Sequence, residues 1–348
     1  MTIPSPPPSA SARSRPEARH EALGLGADRV RWMYRKMLLA RAIDRRMWAL
    51  NRQGKASFVV SAQGHEAAQV GAAAAMRPGV DWLVPYYRDL AFCIALGVTP
   101  LDFMLSVFAR ATDPSSGGRQ MPSHFSNPAA HIVSTSSVVG PKQLHACGLA
   151  YAARLRGLDE VAVSCIGEGG TSQGDWHEAM NFAAVHRLPF ICLVQDNGYA
   201  ISVPHQLQMG VESVAVRAAG YGMPGISVDG GDILEVYAAM TQAMTRARSG
   251  EGPTLIAAKV DRFTSHSSDD DQRRYRPSEE LEAMLQNDPL ERFAKYLLEH
   301  QLLSPEEDKS LHQECAAEVD EAVAAAETAP SPDPAQIHRH LFFEEGSR

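Results

Sequence analysis

The sequence predicts an α/β protein with a doubly wound, mostly parallel sheet flanked by helices and followed by a helical C-terminal region. Three observations lead there: apolar runs at 161–166 and 190–194 that do not alternate with polar residues, a helix-spaced segment between them, and glycine-bearing turns where both runs end. Strands buried on both faces read as continuous apolar stretches, and strand-helix-strand order implies a parallel sheet.

The elements follow in order. Residues 1–26 open with MTIPSPPPSASARSRPEARH, rich in Pro, Ser and Arg. This segment lacks the apolar centre of a secretory signal, and its prolines oppose an amphipathic helix, so a disordered arm is expected, with an organelle transit peptide as the alternative. The expected location is cytoplasmic, or the mitochondrial matrix if the arm is a transit peptide. An α/β domain then spans 27–276. Within it, Val30, Met33, Met37, Leu38, Ile43, Met47 and Leu50 recur at helical spacing over 27–51. A small-residue helix is expected at 64–75, and a turn at 85–88 leads into a helix at 89–96. Residues 117–140 are dominated by Gly, Ser, Pro, Asn and Thr, the composition of a long functional or disordered loop. The clearest unit is strand 161–166, helix 175–186 (Trp176, Met180, Ala183, Ala184) and strand 190–194. Strand 225–228, helix 233–248 and strand 254–260 continue the pattern. The stretch DRFTSHSSDDDQRRYRPSEE is too hydrophilic to bury without partners and reads as a mobile loop. Region 277–348 carries helices at 277–298 and 305–327, with Ser278 and Ser304 as N-caps and Pro305 at a first helical position.

Bulk properties narrow the function. A chain of 348 residues that is 45% hydrophobic can build a large core. A net charge of -8 without any Lys/Arg run argues against nucleic acid or an anionic membrane surface as the main partner. The apolar runs are far shorter than the roughly 20 residues of a bilayer span. Five cysteines without a C-x-x-C pair indicate neither a disulfide framework nor a zinc site, and suit a reducing compartment. Small molecules and other proteins remain as partners.

The chemistry concentrates at two strand ends. One run closes in Gly167-Glu168-Gly169-Gly170 and the other in Gln195-Asp196-Asn197-Gly198-Tyr199. In a parallel sheet both lie on one edge, where α/β sheets bind ligands. Glu168 and Asn197 are 29 positions apart, about one strand-helix-strand unit. A carboxylate, an amide oxygen and a loop carbonyl are hard donors that suit Mg²⁺ holding a diphosphate. Gly169 and Gly170 let that diphosphate approach the backbone. A dinucleotide fingerprint is disfavoured because Ser172 stands where its third glycine belongs. A bare Gly-rich turn with an exposed Glu is the alternative, and Asn197, Gly198 and Tyr199 at the second tip weigh against it.

The run GEGGTSQGDWHEAMNFAAVHRLPFICLVQDNGYAIS resembles the thiamine-diphosphate motif of 2-oxo acid dehydrogenase alpha subunits. The resemblance extends from about Arg31 to the C-terminal helices and includes GKASF, GHEAAQVG, YYRD, GRQMPSHF and HSSDDDQRRYR. The Gly-Glu-Gly start, GRQMP and the Ser-Asp-Asp-Asp segment look more like branched-chain than pyruvate members. The resemblance implies the thiamine-diphosphate-binding fold, with metal ligands from Glu168, Asn197 and the Tyr199 carbonyl. It places Tyr87, Arg88 and His266 beside the cofactor, together with Gly169 and Gly170. Ser137 and Val139 would meet its aminopyrimidine side, and Phe58, Tyr87, Met121 and His124 the substrate. Alone, Phe58 and Met121 would read as core residues, and His266 as a solvated loop histidine. An apolar wall favours a branched aliphatic substrate, each buried methylene contributing roughly 0.8 kcal/mol.

The resemblance further implies oxidative decarboxylation of a branched-chain 2-oxo acid, with acyl transfer to a lipoyl-bearing acyltransferase core and His266 as the catalytic histidine. It implies an α2β2 heterotetramer in which a beta subunit supplies the activating glutamate. Ser267 matches the position phosphorylated in mitochondrial members. A pyruvate or acetoin dehydrogenase alpha subunit is the nearest alternative, and a non-catalytic scaffold a remote one. Two departures stand out. Asp196 replaces the first Asn of an Asn-Asn pair, and Gln195 replaces a basic residue, which removes one expected diphosphate contact. SSVVGPKQLH also lacks the Ser-Pro...Thr-Gln pattern that holds potassium in some members.

Overall fold

The computed structural model describes residues 18–339 and 341–342. In chain order its helices and strands begin with α1 (Arg19–Ala22), α2 (Ala27–Arg52), α3 (Glu66–Ala74), β1 (Trp82–Val84), α4 (Leu90–Leu96), α5 (Pro100–Val107) and α6 (Pro141–Arg156). The central part holds β2 (Ala162–Gly167), α7 (Gly174–Val185), β3 (Phe190–Asp196), the small ribbon β4 (Tyr199–Ala200) and β5 (Val203–Pro204), and α8 (His205–Gln208). It closes with β6 (Gly225–Asp229), α9 (Ile233–Arg248), β7 (Thr254–Lys259), α10 (Ser278–Leu285), α11 (Pro289–Glu299) and α12 (Pro305–Thr328).

Five strands form one sheet in the order β1-β2-β3-β7-β6, every pair parallel. Neighbouring side chains of each central strand enter opposite cores. Val163 and Cys165 join the core shared with α2, α3, α4 and α9, while Ala162 and Ile166 join the one under α6 and α7. Both faces being covered, no polar alternation is tolerated, which is why these strands read as unbroken apolar runs. β1 has only three residues and α5 and α6 follow weakly patterned segments, so the sequence reading did not place them.

Helix α3 is buried along its whole length. A Cβ at Gly71 would lie 2.8 Å from the Ile233 carbonyl oxygen of α9, so only glycine lets the two helices approach this closely. At the start of α3, Gly64 has φ +94° and a Cβ there would fall 1.9 Å from the Asp261 carbonyl oxygen. The chain leaving β7 therefore runs against this turn. Asp44 of α2 holds the preceding segment by accepting from Ser61 Oγ (2.8 Å), the Ala62 N–H (2.6 Å) and Gln63 Nε2 (3.0 Å).

Four sequence expectations are corrected. Of the arm at 1–26, residues 1–17 lie outside the described residues, but the rest is packed: His20 accepts and donates against Tyr296, and Leu25 enters the core. The helix expected over 277–298 is two helices, because Pro289 cannot continue α10. Asp288 instead caps α11 by accepting from the Leu290 N–H at 2.9 Å. Ser278 is the first residue of α10 rather than its cap, whereas Ser304 does cap α12 in a reciprocal pair with Glu307. The charged stretch after β7 is partly buried, since its arginines find partners within the chain: Arg276 donates to the Arg262 carbonyl (2.7 Å) and to Glu280 (2.8 Å).

The C-terminal helices are tied to α2 and α3 through Arg41, buried between Glu66 (2.5 Å) and Asp288 (2.7 Å). Removing one partner of a buried ion pair strands the other charge, at a cost of about 3–5 kcal/mol. Asp288→Ala leaves Arg41 with Glu66 as its remaining buried partner but also removes the α11 cap, so it should lower unfolding free energy by roughly 2 kcal/mol, read by urea denaturation. A loss under about 1 kcal/mol, the surface-pair range, would contradict this assignment.

Candidate active site

The register of β2 against β3 pairs Gly167 with Gln195, so the next residues of both strands emerge together at the carboxyl edge. Glu168 opens a 3-10 turn through Ser172 and is 0% exposed. Its carboxylate accepts from the Asn197 N–H and from Gln208 Nε2, both at 3.2 Å. Two long hydrogen bonds compensate a buried carboxylate poorly. Burial, helped by Asp196, pushes its pKa up. Beside it, Asn197 Oδ1 is buried without a partner among the described residues. A buried acid and an orphaned amide oxygen on adjoining tips are the donor set a hard divalent cation requires. Gly198, at φ +80°, turns the chain so that Tyr199 follows at the same edge.

These tips form one side of a cavity of about 430 Å³, within the range of small-molecule sites. Every site residue singled out from the sequence lines it: Phe58, Tyr87, Arg88, Met121, His124, Ser137, Val139, Glu168, Gly169, Gly170, Asn197, Tyr199 and His266. The expectation that Phe58 and Met121 alone would be core residues is not met, Met121 being 46% exposed at the rim. The two glycines, besides lining the cavity, are required by packing. A Cβ at Gly169 would meet Ala200 Cβ at 2.4 Å and one at Gly170 would meet Ile166 Cδ1 at 2.6 Å, so protein rather than cavity faces the missing side chains.

On the opposite wall, Arg88 is buried and donates to the carbonyl oxygens of Ser61 and His266. Its Nη2 also lies 3.4 Å from His266 Nδ1, which makes Nδ1 the acceptor and leaves the ring proton on Nε2. Burial, then Arg88 and Arg262, hold the His266 pKa down to about 4, so the imidazole is neutral at pH 7. The ring of Tyr87 meets that of His266 edge-on at 6.0 Å. His124 donates from Nδ1 to the Met121 carbonyl (2.9 Å) and accepts at Nε2 from Ser137 Oγ (2.7 Å), which joins the two ends of the polar segment 117–140. That segment is thus a wall of the cavity.

Arg262 was missed by the sequence reading. It is 1% exposed, lines the cavity and donates to the Ile201 carbonyl (3.0 Å) and Tyr275 Oη (2.9 Å). Its signal was available: it is the third residue after β7, the neighbour of β3, and so belongs to the same carboxyl edge. Arg262 gives the cavity a second guanidinium where Gln195 does not. Gln195 points into a buried network instead. Its Oε1 accepts from His65 Nδ1 (2.8 Å) and Gln69 Nε2 (2.9 Å), and its Nε2 donates to Asp89 (2.6 Å). Asp196 caps the turn by accepting from the Gly198 N–H at 3.1 Å and does not line the cavity.

The family described as "Dehydrogenase E1 component" matches residues 34–335. The chain is 52% identical over 324 residues to 2-oxoisovalerate dehydrogenase subunit alpha of Bacillus subtilis (strain 168), covering 93% of this chain and 98% of that protein. It is 42% identical over 280 residues to 3-methyl-2-oxobutanoate dehydrogenase subunit alpha of Mycobacterium tuberculosis (strain ATCC 25618 / H37Rv), covering 80% and 73%. It is 36% identical over 293 residues to pyruvate dehydrogenase E1 component subunit alpha of Staphylococcus aureus (strain N315), covering 84% and 76%.

His266 and His65 titrate far below 6.5 in the fold, at about 4 and about 3, mainly because burial disfavours the charged ring. On acidification the unfolded chain takes up these protons first, so stability of the cofactor-free protein falls from pH 6.5 toward 4. His266→Asn should make that fall shallower in urea titrations across this window. An unaltered slope would remove His266 as one of its sources.

Proposed function

Because the chain belongs to the dehydrogenase E1 component family, we propose that it is the cofactor-holding alpha subunit of a branched-chain 2-oxo acid dehydrogenase. It is an oxidoreductase that takes part in oxidative decarboxylation of a branched-chain 2-oxo acid, with acyl transfer to a lipoyl group. The observation that carries the site assignment is the buried Glu168 carboxylate beside the orphaned Asn197 amide oxygen, at the floor of a cavity walled by two guanidinium groups.

Those residues fit Mg²⁺ and a diphosphate. Glu168, Asn197 and the Tyr199 carbonyl would hold the metal, while Arg88 and Arg262 supply fixed positive charge for phosphate oxygens. Thiamine diphosphate, when bound, supplies the carbanion chemistry that breaks the bond to the departing carboxylate. The chain's own part is to bind, orient and exclude water. Phe58, Val60, Met121, Pro122 and Ile201 give the cavity an apolar side suited to a branched aliphatic chain. Neutral His266, with its proton on Nε2, can donate a hydrogen bond to an anionic oxygen within the cavity. Gln195 and Asp196, the two departures from the family pattern, both lie outside the cavity lining, although the Asp196 charge still helps raise the Glu168 pKa.

The partner is a beta subunit, in an α2β2 heterotetramer that hands its acyl group to a lipoyl-bearing acyltransferase core. Two apolar surfaces support a second chain. Leu155, Phe182 and Val185 are exposed on α6 and α7, around rings of Tyr151 and His186 packed on Phe182, and Val138 and Ile201 are exposed beside the cavity. The free, buried cysteines agree with the reducing compartment proposed for the protein.

Glu168→Ala should abolish Mg²⁺-dependent thiamine diphosphate binding by the assembled protein in titration calorimetry, and undiminished affinity would refute the metal assignment. His266→Ala should slow acyl transfer to lipoyl groups far more than it weakens cofactor binding. Comparing 2-oxoisovalerate with pyruvate in decarboxylation by the reconstituted pair tests the substrate class; preference for pyruvate would reverse it.

A further inference from the structure

Lys142 is the second residue of α6 and its side chain is 3% exposed. Its ammonium has no hydrogen-bond acceptor among the described residues. The location is unfavourable twice over, because burial strips a charge of solvation and a helix N-terminus already carries partial positive charge. Burial accordingly draws its pKa down to about 8. Two features oppose that cost. Nζ lies 5.7 Å from the centre of the Tyr87 ring, and the buried Asp89 carboxylate attracts it. Lys142 in turn favours the ionised form of Asp89, against the burial that lifts that carboxyl to about 6.

Both neighbours belong to the cavity wall or its support. Asp89 accepts from the Tyr86 N–H at 2.9 Å, which closes the turn carrying Tyr87 and Arg88, and from Gln195 Nε2 at 2.6 Å. Gln69, also bonded to Gln195, holds the Arg88 carbonyl at 2.9 Å. On its other side Lys142 is covalently joined to the segment with Ser137 and Val139, through Gly140, where a Cβ would strike Gln173 Oε1. Besides this link, Thr135 Oγ1 donating to the Pro85 carbonyl at 2.7 Å joins the two pieces.

We propose that Lys142 is a positioning residue: its ammonium is an internal cation that clamps the Tyr87–Arg88 turn to the Ser137–Val139 segment in the arrangement that receives the cofactor. This rests on the thiamine-diphosphate reading of the cavity. Because the charge is part of the chain, cofactor binding does not depend on a small monovalent cation from solution.

The test uses the assembled alpha and beta protein. Thiamine diphosphate and Mg²⁺ are titrated in choline chloride, then at equal ionic strength in potassium or methylammonium chloride. Wild-type affinity should be the same in all three salts. Lys142→Ala should bind about tenfold more weakly in choline, the factor expected for losing a desolvated cation-aromatic contact, and recover with the small cations. Lys142→Met, which fills the space without charge, should stay weak in every salt. Amide exchange across 135–140 in the cofactor-free protein should be faster in both variants, and slowed by methylammonium only in Lys142→Ala. Wild-type-like affinity in Lys142→Met, a deficit in Lys142→Ala that no cation restores, or unchanged exchange would each overturn the proposal. Failure of the wild type to bind the cofactor would sink the cavity reading instead, and the exchange experiment would still decide the role of Lys142.

Discussion

The hydrogen bond from the Asn197 N–H to the Glu168 carboxylate is long, at 3.2 Å, yet making it constrains the sheet and the turns on either side. It requires two parallel strands to end in register, and that register is set by cores on both sheet faces. It requires glycines at 169 and 170, since any side chain would push the Glu168 turn away from Ala200 or Ile166. It leaves a fully desolvated carboxylate with few donors, whose pKa burial raises and which a cation at this edge would stabilise in its charged form. The wall opposite follows from the same need, presenting two guanidinium groups and a neutral imidazole toward the space above the acid.

The parts of the fold that were legible in the sequence are those where one physical requirement dominates. Double-sided burial made β2, β3 and β7 unmistakable, and a single apolar stripe did the same for α2 and α9. Legibility failed where an element is short or its burial rests on pairing rather than hydropathy. β1 is three residues long, and its partner β2 supplies the order it lacks. The stretch after β7 looks solvated because composition does not reveal that Arg262 faces the Ile201 carbonyl and Tyr275, or that Arg276 faces Glu280. Pro289 ends one helix and opens the next, with a helical pattern on both sides of it that hides the break.

The candidate site was legible for a different reason: its residues sit at strand ends or in motifs dense in glycine, histidine and arginine. What the sequence could not show is direction. Gln195 and Asp196 looked like losses because one stands where a basic residue is expected and the other where the first Asn of an Asn-Asn pair is expected. In the fold, residue 195 faces a neutral and anionic network behind the wall, and residue 196 completes a turn. Alternation along β3 sends successive side chains to opposite sides, so adjacency to Asn197 says little about access to the cavity. Arg262, distant in sequence, occupies that wall.

Helix α3 adds a mechanical consequence. All of its residues are enclosed, Gly71 rests on the α9 backbone, and Gln69, two residues earlier, carries the Arg88 carbonyl and the Ala91 N–H. A helix so tightly seated has no slack with which to absorb displacement. Bulk added on its sheet-distant flank would be delivered, almost undiminished, to the backbone that aims Arg88. The remote packing seam between two helices is in this sense an adjusting screw for the Arg88 side of the cavity, and substitutions there would change ligand affinity without touching a ligand.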